Sequence, residues 1–234
     1  MKIYPTILTQ EISDLKEKID LLIQEKGTAE VVQVDIIDGL FAENYTVAVE
    51  DLIGLDFGDL KLDFHLMVND ALDAIWEVTD NLSKLPVRAV IAQVERLGGP
   101  VDYFLDAISK HDLKAGLSFD LYTPIEELEP SWFEAGLKVV QIMGVEAGFS
   151  GQKFNELVYG KLEELGRFFE ENKIETEEIE VIIDGGVNAE IVGQVAALDL
   201  PFENIGLAVN SALWEKEGFE INYERLSSVA VENN

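Results

Sequence analysis

Short runs rich in Val and Ile alternate with longer amphipathic stretches from one end of the chain to the other, the rhythm of strands and helices in alternation. The apolar runs begin near Lys2, Val31, Leu62, Arg88, Lys114, Val139, Ile179 and Asn204, roughly 25–40 residues apart, as parallel strands joined by helical crossovers require. Ile12 to Gln24 predicts one helix, because Leu15, Ile19, Leu22 and Ile23 share a face. Ala71 to Leu82 predicts another, carrying Leu72, Ile75, Trp76 and Val78. Val139-Val140-Gln141-Ile142-Met143 and Val181-Ile182-Ile183 read as continuous apolar runs, the pattern of strands buried on both faces. Eight such units in 234 residues predict an α/β fold, a single (β/α)8 barrel domain over residues 1–234. An open doubly wound sheet normally follows its first strand with a Gly-x-Gly-x-x-Gly loop, and Pro5-Thr6-Ile7-Leu8-Thr9-Gln10 has no glycine. The acidic stretch from Glu170 to Glu178 reads as a solvated helix end and loop leading into the seventh strand.

Charge narrows the choice of ligands. Lys and Arg number 17 against 46 Asp and Glu, a formal net charge of −29, which argues against nucleic acid or an anionic membrane as partner. An anionic small molecule must then be held by backbone N–H groups or by a metal. The chain has no Cys, so thiolate chemistry, disulfides and Cys-based metal sites are excluded. Met1-Lys2-Ile3-Tyr4-Pro5 lacks the apolar core of a signal peptide, and no stretch has the apolar length of a membrane span, so the expected location is the cytoplasm.

In a barrel of this kind chemistry sits at the C-terminal ends of the strands. Gln33 and Asp35 are two residues apart at the end of the second strand and so face the same way. The third strand carries His65 inside an apolar run, and the seventh ends in Asp184-Gly185-Gly186. Asp35, His65 and Asp184, drawn from three strands, are expected to converge at the barrel mouth with a ligand set suited to Zn, Mn, Fe or Co. His111, after a helix end, has a surface role. Small residues follow the last three strands: Gly148-Phe149-Ser150-Gly151, Gly185-Gly186, and Asn210-Ser211 before a new helix. Backbone N–H groups freed by such residues at helix N-termini bind phosphate without a basic side chain.

In order and spacing, these segments resemble the ribulose-phosphate 3-epimerase family over nearly the whole chain. Pro5-Thr6-Ile7-Leu8 is similar to the family's Pro-Ser-Ile-Leu, and Val34-Asp35-Ile36-Ile37-Asp38-Gly39-Leu40-Phe41 to its Val-Asp-x-Met-Asp-Gly-x-Phe. His65-Leu66-Met67-Val68, Asp184-Gly185-Gly186-Val187 and most of the segment Gly148 to Phe154 also match. The resemblance implies a ribulose-phosphate-binding barrel and epimerisation of a ketose phosphate at C3. Asp35 and Asp184 would be the acid/base pair, and Gln33, Asp35, His65 and Asp184 the ligands of a divalent metal (Zn, Fe, Mn or Co). The sugar phosphate would be bound by Thr6, His65, Gly148, Phe149, Ser150, Gly151, Gly185, Gly186, Asn210 and Ser211. The resemblance also implies a homo-oligomer. Five departures stand out: Gln33 and Gln93 replace histidines, Ala147 a proline, Asn210 a glycine, and Ile37 one of the site methionines. They leave a competing expectation, a non-catalytic sugar-phosphate-binding paralogue with a degraded metal site.

Overall fold

The computed structural model describes residues 1–25, 27–214 and 218–232. The strands are β1 (Lys2–Ile7), β2 (Val31–Ile37), β3 (Lys61–Met67), β4 (Val87–Gln93), β5 (Lys114–Phe119), β6 (Leu137–Met143), β7 (Glu180–Asp184) and β8 (Ile205–Val209). They pair in parallel in chain order, and β8 pairs with β1 to close the barrel. The helices are α1 (Ile12–Gln24), α2 (Ala71–Thr79), α3 (Val101–Ser109), α4 (Pro130–Glu134), α5 (Leu157–Asn172), α6 (Ala189–Ala196), α7 (Ser211–Trp214) and α8 (Phe219–Glu232). The expected (β/α)8 barrel is therefore present, and every strand starts within two residues of its predicted position.

Two expectations are corrected. The helix predicted from Ala71 to Leu82 ends at Thr79. Beyond it the backbone tightens into short-range turns, Asn81 N to Val78 O and Lys84 N to Asn81 O, while the Asn81 side chain donates to Glu77 O at 2.8 Å. An amide that competes for a helical carbonyl favours an ending there. Second, β2 and β3 are not joined by an α-helix among the described residues but by a 3-10 turn, Val49–Leu52.

Strand alternation divides the interior. Val32, Val34, Leu62, Phe64, Val90, Leu117, Val140, Val181, Ile183 and Leu207 face outward beneath the helices and are fully buried. Inside the barrel, Tyr4, Val31, Ala89, Ile91, Val139, Ile182 and Ala208 form a separate apolar plug. At the N-terminal strand ends lies an ion cluster. Arg88 donates to Asp63 through Nε (2.8 Å) and Nη2 and to Glu180 (2.9 Å), and Lys114 also reaches Glu180 at 2.9 Å. The Tyr4 hydroxyl donates to Glu180, and the Arg88 guanidinium lies over the Tyr4 ring, 5.1 Å from its centre. The opposite end of the barrel holds a different polar layer.

Candidate active site

Gln33 and Asp35 follow the alternation of β2 into the barrel, and strand register sets Asp35 beside His65. Asp184 ends β7 next to Met143 of β6. His65 is fully buried, and its Nδ1 lies 3.2 Å from Asp35 Oδ1 and 3.3 Å from Asp184 Oδ2. One ligand atom from each of Asp35, His65 and Asp184 lies within 4.8 Å of the others. The structure thus brings together the three side chains expected to converge. Gln33 sits among them: its Nε2 donates to Asp35 Oδ1 at 3.0 Å and to Asp184 Oδ2 at 2.7 Å. In its better-satisfied orientation, the Gln93 amide accepts from His65 Nε2 at 2.9 Å and donates to Glu95 at 2.9 Å.

These contacts set the charge of the layer. Burial pushes the Asp35 carboxyl up to about 6, against the hydrogen bond from His65, and the nearby Asp184 charge adds to the rise. Burial alone would lower His65, but hydrogen bonds to Asp184 and Asp35 and their charges outweigh it and lift the imidazole to about 9. Both His65 nitrogens face acceptors, Nδ1 the two carboxylates and Nε2 the Gln93 amide oxygen.

A narrow cleft opens above this layer. Thr6, Asp35, His65 and Asp184 line it together with Gly148, Phe149, Ser150, Gly151, Gly185, Gly186, Asn210 and Ser211. Gln33 is not in the lining and lies beneath it, 1% exposed. Gly186 has φ +70°, and a Cβ there would stand 2.5 Å from the Phe154 nitrogen, so the close approach of these two loops needs glycine. The expected placement of small residues at helix N-termini is corrected in part. Only Asn210-Ser211 abuts a helix, α7, whereas α5 begins six residues after Gly151 and α6 three after Gly186. Loop backbone lines this side of the cleft.

At the rim, Asn44 Nδ2 donates to Gly148 O at 2.8 Å, and Gln10 Nε2 donates to Asn44 Oδ1 at 3.1 Å. Gly148 has φ +109°, and a Cβ there would meet the Ala42 Cβ at 2.5 Å. His111, as expected, is exposed. Sequence reasoning missed Gln141, which is fully buried and donates to Asp184 Oδ2 at 3.0 Å. Its signal was the one polar residue inside a β6 run that reads as apolar.

The chain is similar to known proteins along most of its length. The model of the "Ribulose-phosphate 3 epimerase family" matches residues 2–209. The ribulose-phosphate 3-epimerase of Bacillus subtilis is 30% identical over 196 residues, covering 81% of this chain and 83% of that protein. That of Escherichia coli K12 is 31% identical over 197 residues, covering 83% and 82%. Among solved structures, KGPDC from Streptococcus mutans in complex with D-R5P aligns with a TM-score of 0.68 at 10% identity, over 98% of this chain and 97% of that one. The 3-hexulose-6-phosphate synthase from Salmonella typhimurium aligns with a TM-score of 0.65 at 9% identity over the whole of both chains. At such identities the two structures speak for the barrel alone. The family match and the two epimerase relatives go further: this chain belongs to the ribulose-phosphate 3-epimerase family, enzymes of the epimerase class.

Proposed function

We propose that this chain catalyses metal-dependent epimerisation at C3 of a ketose phosphate, of the ribulose 5-phosphate type, with Asp35 and Asp184 as the proton-transfer groups. The observation that carries the reading is the meeting of two carboxylates from different strands, one on β2 and one on β7, around a single buried imidazole at the floor of a cleft. Inverting the centre beside a ketone requires a base on one face and an acid on the other. One carboxylate takes the C3 proton, the bonding pair moves into the C2 carbonyl to give an ene-diolate, and the other, protonated, carboxyl returns a proton to the opposite face. Each turnover exchanges their roles.

The donor set fits a divalent cation. Two carboxylates and His65 Nδ1 lie within reach of one centre, and the buried Gln33 Oε1 has no hydrogen-bond partner. Asp35, His65, Asp184 and Gln33 would hold the ion, which supplies Lewis-acid stabilisation of developing enolate charge. The phosphate end of the substrate is read as lying against the backbone of Gly148 to Gly151, Gly185-Gly186 and Asn210-Ser211, beside Thr6. Phe149, half-exposed at the cleft edge, is suited to excluding water over the reacting carbons.

The test is incubation of metal-supplemented protein with ribulose 5-phosphate and with allulose 6-phosphate in D₂O, following the C3 proton by NMR. Deuterium uptake with formation of the epimer is the expected result. No exchange with either substrate, with metal shown to be bound, refutes the catalytic reading and leaves the sugar-phosphate binder.

A further inference from the structure

Two buried carboxamides have the same unusual arrangement. Gln33 Nε2 donates to Asp35 and Asp184, Gln141 Nε2 donates to Asp184, and the oxygen of each amide is buried without any hydrogen-bond partner. Among the described residues, the only other buried side-chain atom without a partner is Thr79 Oγ1, far along the chain in α2. Both amides have therefore turned their positive ends to the carboxylates and left their negative ends unmatched. Inverting either one would set oxygen against carboxylate, which is unfavourable unless a positive charge stands between them.

The spacings suit such a charge. A hard cation with octahedral ligands at about 2.1 Å places neighbouring ligand atoms about 3.0 Å apart. The amide nitrogens lie 3.0, 2.7 and 3.0 Å from the carboxylate oxygens they touch, and His65 Nδ1 lies 3.2 and 3.3 Å from the same oxygens. Each amide terminus thus lies at a spacing from a carboxylate oxygen that two neighbouring ligand atoms could share.

Building on the metal-dependent reading above, we propose that Gln33 and Gln141 form an invertible pair whose amides turn over when a divalent cation enters, and that Gln141 becomes a fifth protein ligand. The donors are then Gln33 Oε1, Asp35, His65 Nδ1, Asp184 and Gln141 Oε1, four oxygens and one nitrogen. That set favours Mn²⁺ or Mg²⁺, relative to Zn²⁺, more than an imidazole-rich set does. Without the ion, the same two amides serve the carboxylates by hydrogen bonding, and only their own oxygens stay unmatched.

The wild-type full chain, labelled with ¹³C and ¹⁵N, provides the first test: its Gln33 and Gln141 side-chain amide signals are assigned through bonds and followed as Mg²⁺ is added. Both NH₂ pairs are expected to move together as their bonds to carboxylate break. Mn²⁺ affinity, read from the free-ion EPR signal, is expected to fall at least about tenfold in Gln141→Leu, the scale on which groups around a metal site act. The loss for Zn²⁺, measured by competition calorimetry, is expected to be smaller. A Gln141 amide that stays in place at saturating Mg²⁺, or Mn²⁺ binding unchanged in Gln141→Leu but lost in Asp35→Asn, overturns the role of Gln141 and leaves the metal reading standing. No binding of Mg²⁺, Mn²⁺ or Zn²⁺ by the wild type overturns both.

Discussion

Replacing Arg88 with Met tests how the base of the barrel is held together. Asp63 and Glu180 have side chains 1% exposed, and Arg88 bridges them. Among the described residues, every hydrogen bond to the Asp63 carboxylate comes from Arg88, whereas Glu180 keeps Tyr4 and Lys114. The cost therefore falls on Asp63, left as an unpaired buried charge, which is worth about 3–5 kcal/mol. Against a typical total of about 5–15 kcal/mol, Arg88→Met should lose roughly a fifth or more of the folding stability. At roughly 2–4 °C per kcal/mol for a chain of this size, Tm should drop by about 6–20 °C.

The pH dependence has a definite sign. Burial already holds Asp63 above the usual carboxylate range, even with the Arg88 guanidinium beside it, and removing Arg88 raises it further. The folded state then binds more protons than the unfolded state between the two values, so the contribution of this group to stability rises as pH falls through that window. The slope is at most about 1.4 kcal/mol per pH unit. Urea unfolding followed by circular dichroism at pH 7.5 and 5.5 should show the gap from wild type narrowing at the lower pH. The double variant Asp63→Leu with Arg88→Met removes charge and partner together and should recover most of the loss. A single-variant loss under about 1 kcal/mol, equal at both pH values, would refute the reasoning by showing that water reaches Asp63.

Three further outcomes follow from the mouth of the barrel. Asp35→Asn and Asp184→Asn each remove a base and a charged ligand, so kcat/KM for ketose phosphate epimerisation should fall by more than the roughly 10²–10⁴ of acid–base catalysis alone; a tenfold loss would mean that another group moves the proton. Gln33→His should tighten Zn²⁺ binding, read by competition calorimetry, because imidazole is the stronger ligand for that ion; weaker binding would show that the ring does not fit beside Asp184. Gly186→Ala drives a methyl against the Phe154 backbone at positive φ. It should lower Tm and weaken the amide NMR response of Gly148 to Gly151 to inorganic phosphate, and an unaltered phosphate titration would place the anion elsewhere.

The eight-strand order was legible because each strand is a short Val- and Ile-rich run between helical patterns, and Asp35, His65 and Asp184 stood out as polar residues at strand ends. Gln141 escaped because apolar neighbours mask a single inward amide, and its partner Asp184 lies 43 residues away. The base cluster escaped for a related reason. Asp63, Arg88 and Glu180 sit on three strands, and Arg88 meets Glu180 across 92 residues, so no local spacing reveals the pairing. The end of α2 at Thr79 depended on a competing side-chain bond from Asn81, which apolar periodicity does not register.

The Asn44 bridge has a kinetic consequence. It ties the segment after β1, through Gln10, to the segment after β2 and to Gly148 after β6, with Ala42 packed against Gly148. Three loops that leave the barrel at separate points are thereby joined into one latch. A ligand large enough to part Gly148 from Ala42 must release the Asn44–Gly148 hydrogen bond, net worth only about 1 kcal/mol, so the latch is weak. Relaxation-dispersion NMR should then find a common exchange rate at Asn44 and Gly148, on the μs–ms scale of loop motions. Entry to the cleft would be timed by the release of that one bond.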